Sequence, residues 1–363
     1  MIVPQAKFNP STEQKSFFIE LKKRVDNYFV EQNISKHANT SMKLKTVFIL
    51  VLQFTPMIIL YSNLVHGTFA VITLWGLMGL GTAGIGLSIM HDANHGAYSS
   101  KKSTNMRFGY LFNAIGSYYI NWKIQHNVLH HTFTNIEDYD EDIDTRVMRL
   151  SPKQERKWIH KYQAYYATFF YGIMTIYWLI SKDFEQIIKY KKLNLLKTQG
   201  VTFTKALTQV LLIKLIYFFT LLILPVIITD MSFGLVLSGF LIMHVICGLT
   251  LSLIFQCAHV LEETEFFKVN KNENLENNWA IHQLKTTANF ANNSTVFSWL
   301  IGGLNFQVEH HLFPNICHIH YKQISPIVKK TAQEFNLPYH EHRTFFGALH
   351  SHYSLLNSLG LKT

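Results

Sequence analysis

The sequence predicts an all-α integral membrane protein. Four transmembrane helices are expected as two hairpins, with interfacial helices and a cytoplasmic, histidine-rich helical cap. Three observations carry this. Hydrophobic residues make up 48% of the chain and charged residues only 15%, a charged share low for a soluble protein. Four apolar stretches of roughly bilayer length occur in two pairs, each pair joined by a very short turn. Three dense histidine clusters, at 91–95, 126–131 and 310–311, sit at or beyond the ends of those stretches.

Residues 1–45 are polar, carry eight Lys or Arg and lack the apolar core of a signal peptide, so a cleaved leader is not expected. From Glu13 to Glu31 the pattern suits an amphipathic helix on the membrane surface. Residues 46–65 form the first expected span, His66-Gly67 the turn, and residues 68–90 the second span. Gly76, Gly79, Gly81, Gly84 and Gly86 in that second span allow another helix or a lipid chain to approach its backbone closely.

Residues 107–120 are apolar but too short to cross and read as re-entrant or interfacial. Residues 136–161 are highly charged and belong in water. The aromatic loading of 164–180 suits an interfacial helix better than a spanning one. Residues 206–229 and 232–256 are the third and fourth expected spans, and His259 follows. One domain over 1–363 is therefore expected: a cytoplasmic segment 1–45, a transmembrane and central region 46–259, and a cytoplasmic cap 260–363.

Charge sets the orientation. The turns at 66–67 and 230–231 carry no Lys or Arg, whereas segments 1–45, 91–205 and 257–363 carry eight, sixteen and eight. The positive-inside rule then places both termini and all three clusters on the cytoplasmic side of a multi-pass protein. In a bacterial cell that is the plasma (inner) membrane. The net charge of +10 has no basic stripe or recognition fold with it, so nucleic acid is not an expected partner. Cys247, Cys257 and Cys317 are scattered, which argues against a disulfide framework or a thiolate metal site.

The clusters are what the chain is organised around. His91 and His95 are four residues apart, as are His126 and His130, so on an α-helix each pair shares a face, with His131 about 100° further round. With His259, His310 and His311 they make eight imidazoles, too many for one ion but suited to two ions with open positions. Neither the zinc-hydrolase motif His-Glu-x-x-His nor the Glu-x-x-His of carboxylate di-iron bundles occurs. Asp92 and Asn127 lie close enough in sequence to orient a ligating ring.

These strings resemble the membrane fatty acid desaturase family over about residues 46–342. His91-x-x-x-His95, His126-x-x-x-His130-His131 and Gln307-x-x-His310-His311 match its three histidine boxes in type, order and spacing. Asn121-Trp-Lys-Ile-Gln-His126, Asn278-Trp-Ala-Ile-His-Gln283 and Phe306-Gln-Val-Glu-His-His-Leu-Phe-Pro314 are similar to its acyl-lipid and front-end branch, linoleoyl desaturases included. The resemblance implies a non-haem di-iron enzyme that takes two hydrogens from an acyl chain, carried on coenzyme A or a membrane lipid, using O2 and two electrons.

It also implies roles that stay open. Gln307, where other branches have histidine, would ligate iron, bond a bound water or orient His311. Where the stearoyl-type branch has an asparagine before the last histidine of the fourth span, Phe255 stands here, with Gln256 beside it. No fused cytochrome b5 core, His-Pro-Gly-Gly, is present, so a separate ferredoxin or cytochrome b5 is the expected electron donor. Lys123, Arg146, Arg149 and Lys153, nearest in sequence to the second cluster, are the candidate docking cations. A lipid hydroxylase with the same metal centre is the nearest rival reading. A histidine-rich metal transporter is a remote one, because its ligands belong at mid-membrane.

Overall fold

The computed structural model describes residues 7–8, 12–269, 274–275 and 277–361, and these are mostly helical. Four helices are long and apolar enough to cross a bilayer: Thr40–Tyr61, Thr68–Asn94, Phe203–Ile228 and Phe233–His259, with mean hydropathies of 1.8, 1.6, 2.6 and 2.1. Each lies where the sequence predicts a span, but with different ends. The first begins at Thr40, not 46, because the Asn39 side chain accepts the Met42 N–H and caps it there. The second runs on to Asn94 and the fourth to His259. A helix keeps its backbone groups paired wherever it runs, so it continues past the apolar stretch until something stops it. The extensions carry Lys45, His91, Asp92 and His259, and all four are buried.

The second helix is packed between the first and the fourth. Its glycines make this possible: a Cβ on Gly81 would lie 2.7 Å from the Gln53 Cα, and one on Gly79 would lie 2.6 Å from the Met243 carbonyl oxygen. The third helix is the least covered, and Leu211, Leu212, Leu215 and Ile216 face outward in a row. An apolar surface that continuous belongs against hydrocarbon.

Among the described residues, the intervening helices are not long and apolar enough to cross a bilayer. Residues 102–114 form two short helices, Lys102–Gly109 and Leu111–Ala114. The aromatic helix Gln163–Tyr177 lies against the fourth span with Tyr165 and Phe169 exposed, and passes through a π-helical turn, Trp178–Lys182, into Asp183–Lys192. Lys214, partway along the third helix, reaches Asp183 at 2.5 Å. Asp183 also accepts from the Asn121 side chain at 3.1 Å and the Tyr118 N–H at 3.2 Å. That buried pair ties the third helix to the root of the second histidine cluster.

Beyond the fourth helix come Trp279–Thr286, Thr295–Leu300, Gln307–Leu312, Tyr321–Glu334 and Phe345–Leu361. Two short parallel pairings join distant parts of the chain: Lys7–Phe8 with Asn274–Leu275, and Ala288–Phe290 with His340–His342. The N-terminal helix Thr12–Glu31 sets Phe17, Leu21 and Val25 against Ile324, Val328 and Ala332 of Tyr321–Glu334.

The glycine contacts give a test of the packing. Gly81→Leu should cost about 1–3 kcal/mol or prevent folding, since backbone faces backbone there. Gly67→Ala, with nothing within 4 Å, should leave stability within about 0.5 kcal/mol. Thermal unfolding of the detergent-solubilised protein reads both.

Candidate metal centre

The second cluster lies on a helix spanning 119–133, but not on an α-helix. Residues Lys123–His130 are π-helical, and the His131 N–H donates to the His126 carbonyl, five residues back. This corrects the expected α-helical winding. In the wider turn His126 and His131 come onto one side, their Nε2 atoms 3.2 Å apart. His130 stays beside His126 as the sequence predicts, its ring stacked on that of His126 at 5.3 Å and its ligand nitrogen grouped with those of His126 and Asp142.

All eight predicted histidines meet at this helix. His91, His95, His126 and His310 form one group, and His130, His259 and His311 another, with ligand atoms in each group within 4.8 Å of one another. His131 groups with both His310 and His311 and so lies where the two sets adjoin. Nε2 atoms are 3.2 Å apart between His91 and His126, and 2.9 Å apart between His131 and His310. Seven of the rings are buried, and His95 alone is partly exposed. The two groups come from different parts of the fold: the ends of the second and fourth spans, the 119–133 helix and the short helix Gln307–Leu312.

What surrounds the rings decides which nitrogen faces inward. The Nδ1 of His130 lies 3.1 Å from both Asp140 carboxylate oxygens. That of His259 is 3.2 Å from the Thr286 carbonyl, and that of His311 is 2.8 Å from the Gln283 amide oxygen. Each partner is an acceptor, so each Nδ1 carries the hydrogen. The three Nε2 atoms are buried without a hydrogen-bond partner, and the His95 Nε2 is likewise unpartnered. The His310 Nδ1 is 3.1 Å from the Tyr321 hydroxyl. Buried imidazole lone pairs turned inward and anchored from behind are the arrangement that fits a metal ion.

Electrostatics agree. Burial, reinforced by neighbouring rings, pushes His95, His126, His131, His310 and His311 well below the usual imidazole range, so they are neutral at pH 7 and able to offer a lone pair. His130 differs: burial pulls it down, but Asp140 and Asp142 outweigh that and hold it up at about 9. A cation at its Nε2 would replace that proton and meet the same two carboxylates.

The other candidate residues separate. Gln307 is fully buried, and neither end of its amide has a partner. It stands three and four residues before His310 and His311, on their side of the helix. Gln256, three residues before His259, also has an unpartnered buried oxygen. Asn127 donates to the Asn94 carbonyl at 2.9 Å and ties the cluster helix to the end of the second span. Asp92 accepts from the His318 N–H at 3.2 Å and faces the His318 Nδ1 at 2.8 Å, while its other oxygen is 3.9 Å from the His91 Nδ1. Lys45 of the first span completes that chain, 2.8 Å from the His318 Nε2.

One correction concerns a docking cation. Arg149 is 6% exposed and donates to the carbonyls of Gln154, Pro152 and Leu359. Its guanidinium is spent inside the fold, so it leaves the set of docking cations. Arg146 and Lys153 are exposed, and Lys123 is half-buried. Glu309 sits inside the third cluster's sequence but turns away, bonded to Tyr339 at 2.8 Å and Asn289 at 2.8 Å. The anchors Gln283, Thr286 and Tyr321 escaped the sequence reading; only the string ending at Gln283 pointed toward one of them.

Comparison with known proteins agrees with the geometry. Residues 67–343 match the family "Fatty acid desaturase". The sn-1 linoleoyl-lipid 6-desaturase of Arthrospira platensis is 36% identical over 94% of this chain and 92% of its own length. That of Synechocystis sp. is 36% identical over 96% and 97%. The acyl-lipid (8-3)-desaturase of Physcomitrium patens is 34% identical over 99% of this chain and 77% of its own length. With eight buried imidazoles in two adjoining sets, four helices fit for a membrane and a family match over most of its length, the chain belongs to the fatty acid desaturase family of oxidoreductases.

Proposed function

We propose that the protein is a front-end acyl-lipid desaturase, placing a cis double bond in a lipid-borne acyl chain at two irons held by His91, His95, His126, His130, His131, His259, His310 and His311. The observation that carries this is the sorting of the imidazoles into two groups with His131 between them. Two ions so held keep positions free for other ligands, which a single crowded site would not. The names of the relatives, linoleoyl-lipid and acyl-lipid desaturases, support a membrane lipid over coenzyme A as the acyl carrier.

Bound iron would supply the activation of O2 and the oxidising power to remove two hydrogens. The chain's own residues do the rest. Asp140, Thr286 and Gln283 keep the Nδ1 hydrogens of His130, His259 and His311 in place. Trp122, stacked on His126 at 4.5 Å, and Phe255, at 6.2 Å, help keep water out. Gln307 and Gln256 hold polar atoms in reserve beside the ligand helices, as ligands or as partners for a bound water. Orientation of one C–C bond against the irons is the catalytic contribution of the fold.

In this reading the helices form two hairpins with both termini in the cytoplasm and a histidine-rich cap on that side. A separate acidic carrier, a ferredoxin or cytochrome b5, docks by charge at Lys123, Arg146 and Lys153. A hydroxylase would use the same centre, but the named relatives do not favour it.

Three measurements test these points. Expression in a host fed defined fatty acids, followed by mass spectrometry, should show acyl chains two hydrogens lighter with a new bond near the carboxyl end; chains one oxygen heavier would mean a hydroxylase. Purified protein should hold about two irons per chain, and His259→Ala should lose about half of that or more by elemental analysis while still inserting in the membrane. Unchanged iron in that variant would remove His259 from the site. A reporter fused after residue 361 should read as cytoplasmic and one inserted at Gly67 as external; the reverse pattern would overturn the orientation.

A further inference from the structure

The segment between the strand Ala288–Phe290 and the third cluster is not built like a cytoplasmic loop. Its short helix Thr295–Leu300 leaves Val296 71% and Leu300 53% exposed. Phe297, on the opposite side, packs with Phe290 and Phe345. Trp299 packs at a tilt against Phe48 of the first span at 5.3 Å, and Lys45 lies over its ring at 5.1 Å. Leu44, Val47, Phe48 and Val51 on that span are themselves exposed and apolar. The outward side of the short helix therefore continues the lipid-facing side of the first span.

Its depth is fixed from behind. Gly302, with φ +69°, sits so close to the second span that a Cβ there would lie 2.2 Å from the Leu87 carbonyl oxygen. Leu87 is one helical turn on the membrane side of His91, about 6 Å deeper. Ile301 and Leu304 join Leu87, Ile254, Cys257 and Ala258 in one buried cluster. The loop is closed at its base, where the Phe290 N–H donates to the Asn305 carbonyl at 3.0 Å and the Asn305 amide donates to Ser298 Oγ at 2.9 Å. Lys322 donates to Thr295 Oγ1 at 2.8 Å and places an ammonium at the rim.

We propose that residues 294–301 are a wedge inserted into the cytoplasmic leaflet, with lipid as its partner, and that it seats the third histidine cluster at a fixed depth. Val296 and Leu300 contact acyl chains, Trp299 lies at the boundary as aromatic rings do, and Lys322 faces lipid phosphate. The wedge is closed rigidly two residues before Gln307, so its contact with lipid sets where His310 and His311 lie relative to the bilayer. Lipid-borne acyl chains beside it are then presented at the level of the metal groups. This rests on the reading of the four helices as spans.

The test uses nitroxide labels on the full-length, iron-loaded protein in phosphatidylcholine–phosphatidylglycerol vesicles. The native cysteines, Cys247, Cys257 and Cys317, are all buried, so an introduced cysteine is labelled selectively. Val296→Cys should be reached by dissolved O2 and shielded from a water-soluble nickel chelate. Ile58→Cys, at an exposed site in the first span, should behave likewise, and Asp144→Cys, exposed in the central loop, should show the opposite. A shielded 58 with a water-accessible 296 overturns the wedge and leaves the spans intact. A water-accessible 58 overturns both. Leu300→Lys should keep full iron content yet lose about tenfold in turnover of vesicle lipid, with less than about a twofold loss on a detergent-dispersed acyl substrate. Equal loss on both substrates, or none on either, also overturns it.

Discussion

Three acceptors behind three rings set the terms for this structure. An imidazole offers a metal a lone pair only at the nitrogen that carries no hydrogen, and Asp140, the Thr286 carbonyl and the Gln283 amide oxygen each hold the hydrogen at Nδ1. They come from a loop after the second cluster and from a helix beyond the last span, so two stretches more than a hundred residues apart must close on the site before it exists. The tether from Asn135 to the His259 carbonyl at 2.8 Å and the bond from His282 to the Thr134 carbonyl at 2.7 Å hold them there. The C-terminal third thus forms an outer layer around the histidine groups.

The membrane-facing half answers to a different constraint. Glycines bring the second span against the first and fourth backbones, which places His91 and His259 at neighbouring helix ends. The Lys214–Asp183 pair then fixes the third helix to the helix of the second cluster. Removing either charge would leave the other buried and unmatched, so the pair holds position more than it adds stability. Lys45, His318 and Asp92 make a comparable polar chain on the other side.

Much of this was legible in the sequence, for stated physical reasons. Apolar runs of bilayer length located the four spans, because hydrocarbon demands that length and composition. Their ends were missed, because Asn39 as a cap and the polar extensions to Asn94 and His259 follow from helix termination and tertiary cover, not from hydropathy. Seven of the histidines were legible from clustering, and His259 only from its place after the fourth span. Which ring joins which group was not, since an α-helical period was assumed where Lys123–His130 is π-helical. Gln283, Thr286 and Tyr321 lie at sequence distances that no local spacing encodes. Arg149 was misread because proximity in sequence says nothing about burial; the carbonyl of Leu359, near the far end of the chain, is what holds it.

The π-helical stretch has one more implication. Such a turn is an α-helix accommodating an extra residue, with each bond reaching one position further back. In the second cluster this wider winding brings the His131 Nε2 within 3.2 Å of that of His126 while the His130 ring stays stacked on the same imidazole. Spacing within this cluster is then a length constraint counted in whole residues. Dropping a single residue between Lys123 and His130 would restore regular winding and rotate everything after it by about 100°, so the ligand set tolerates substitution between its histidines far better than any change in their number of intervening positions.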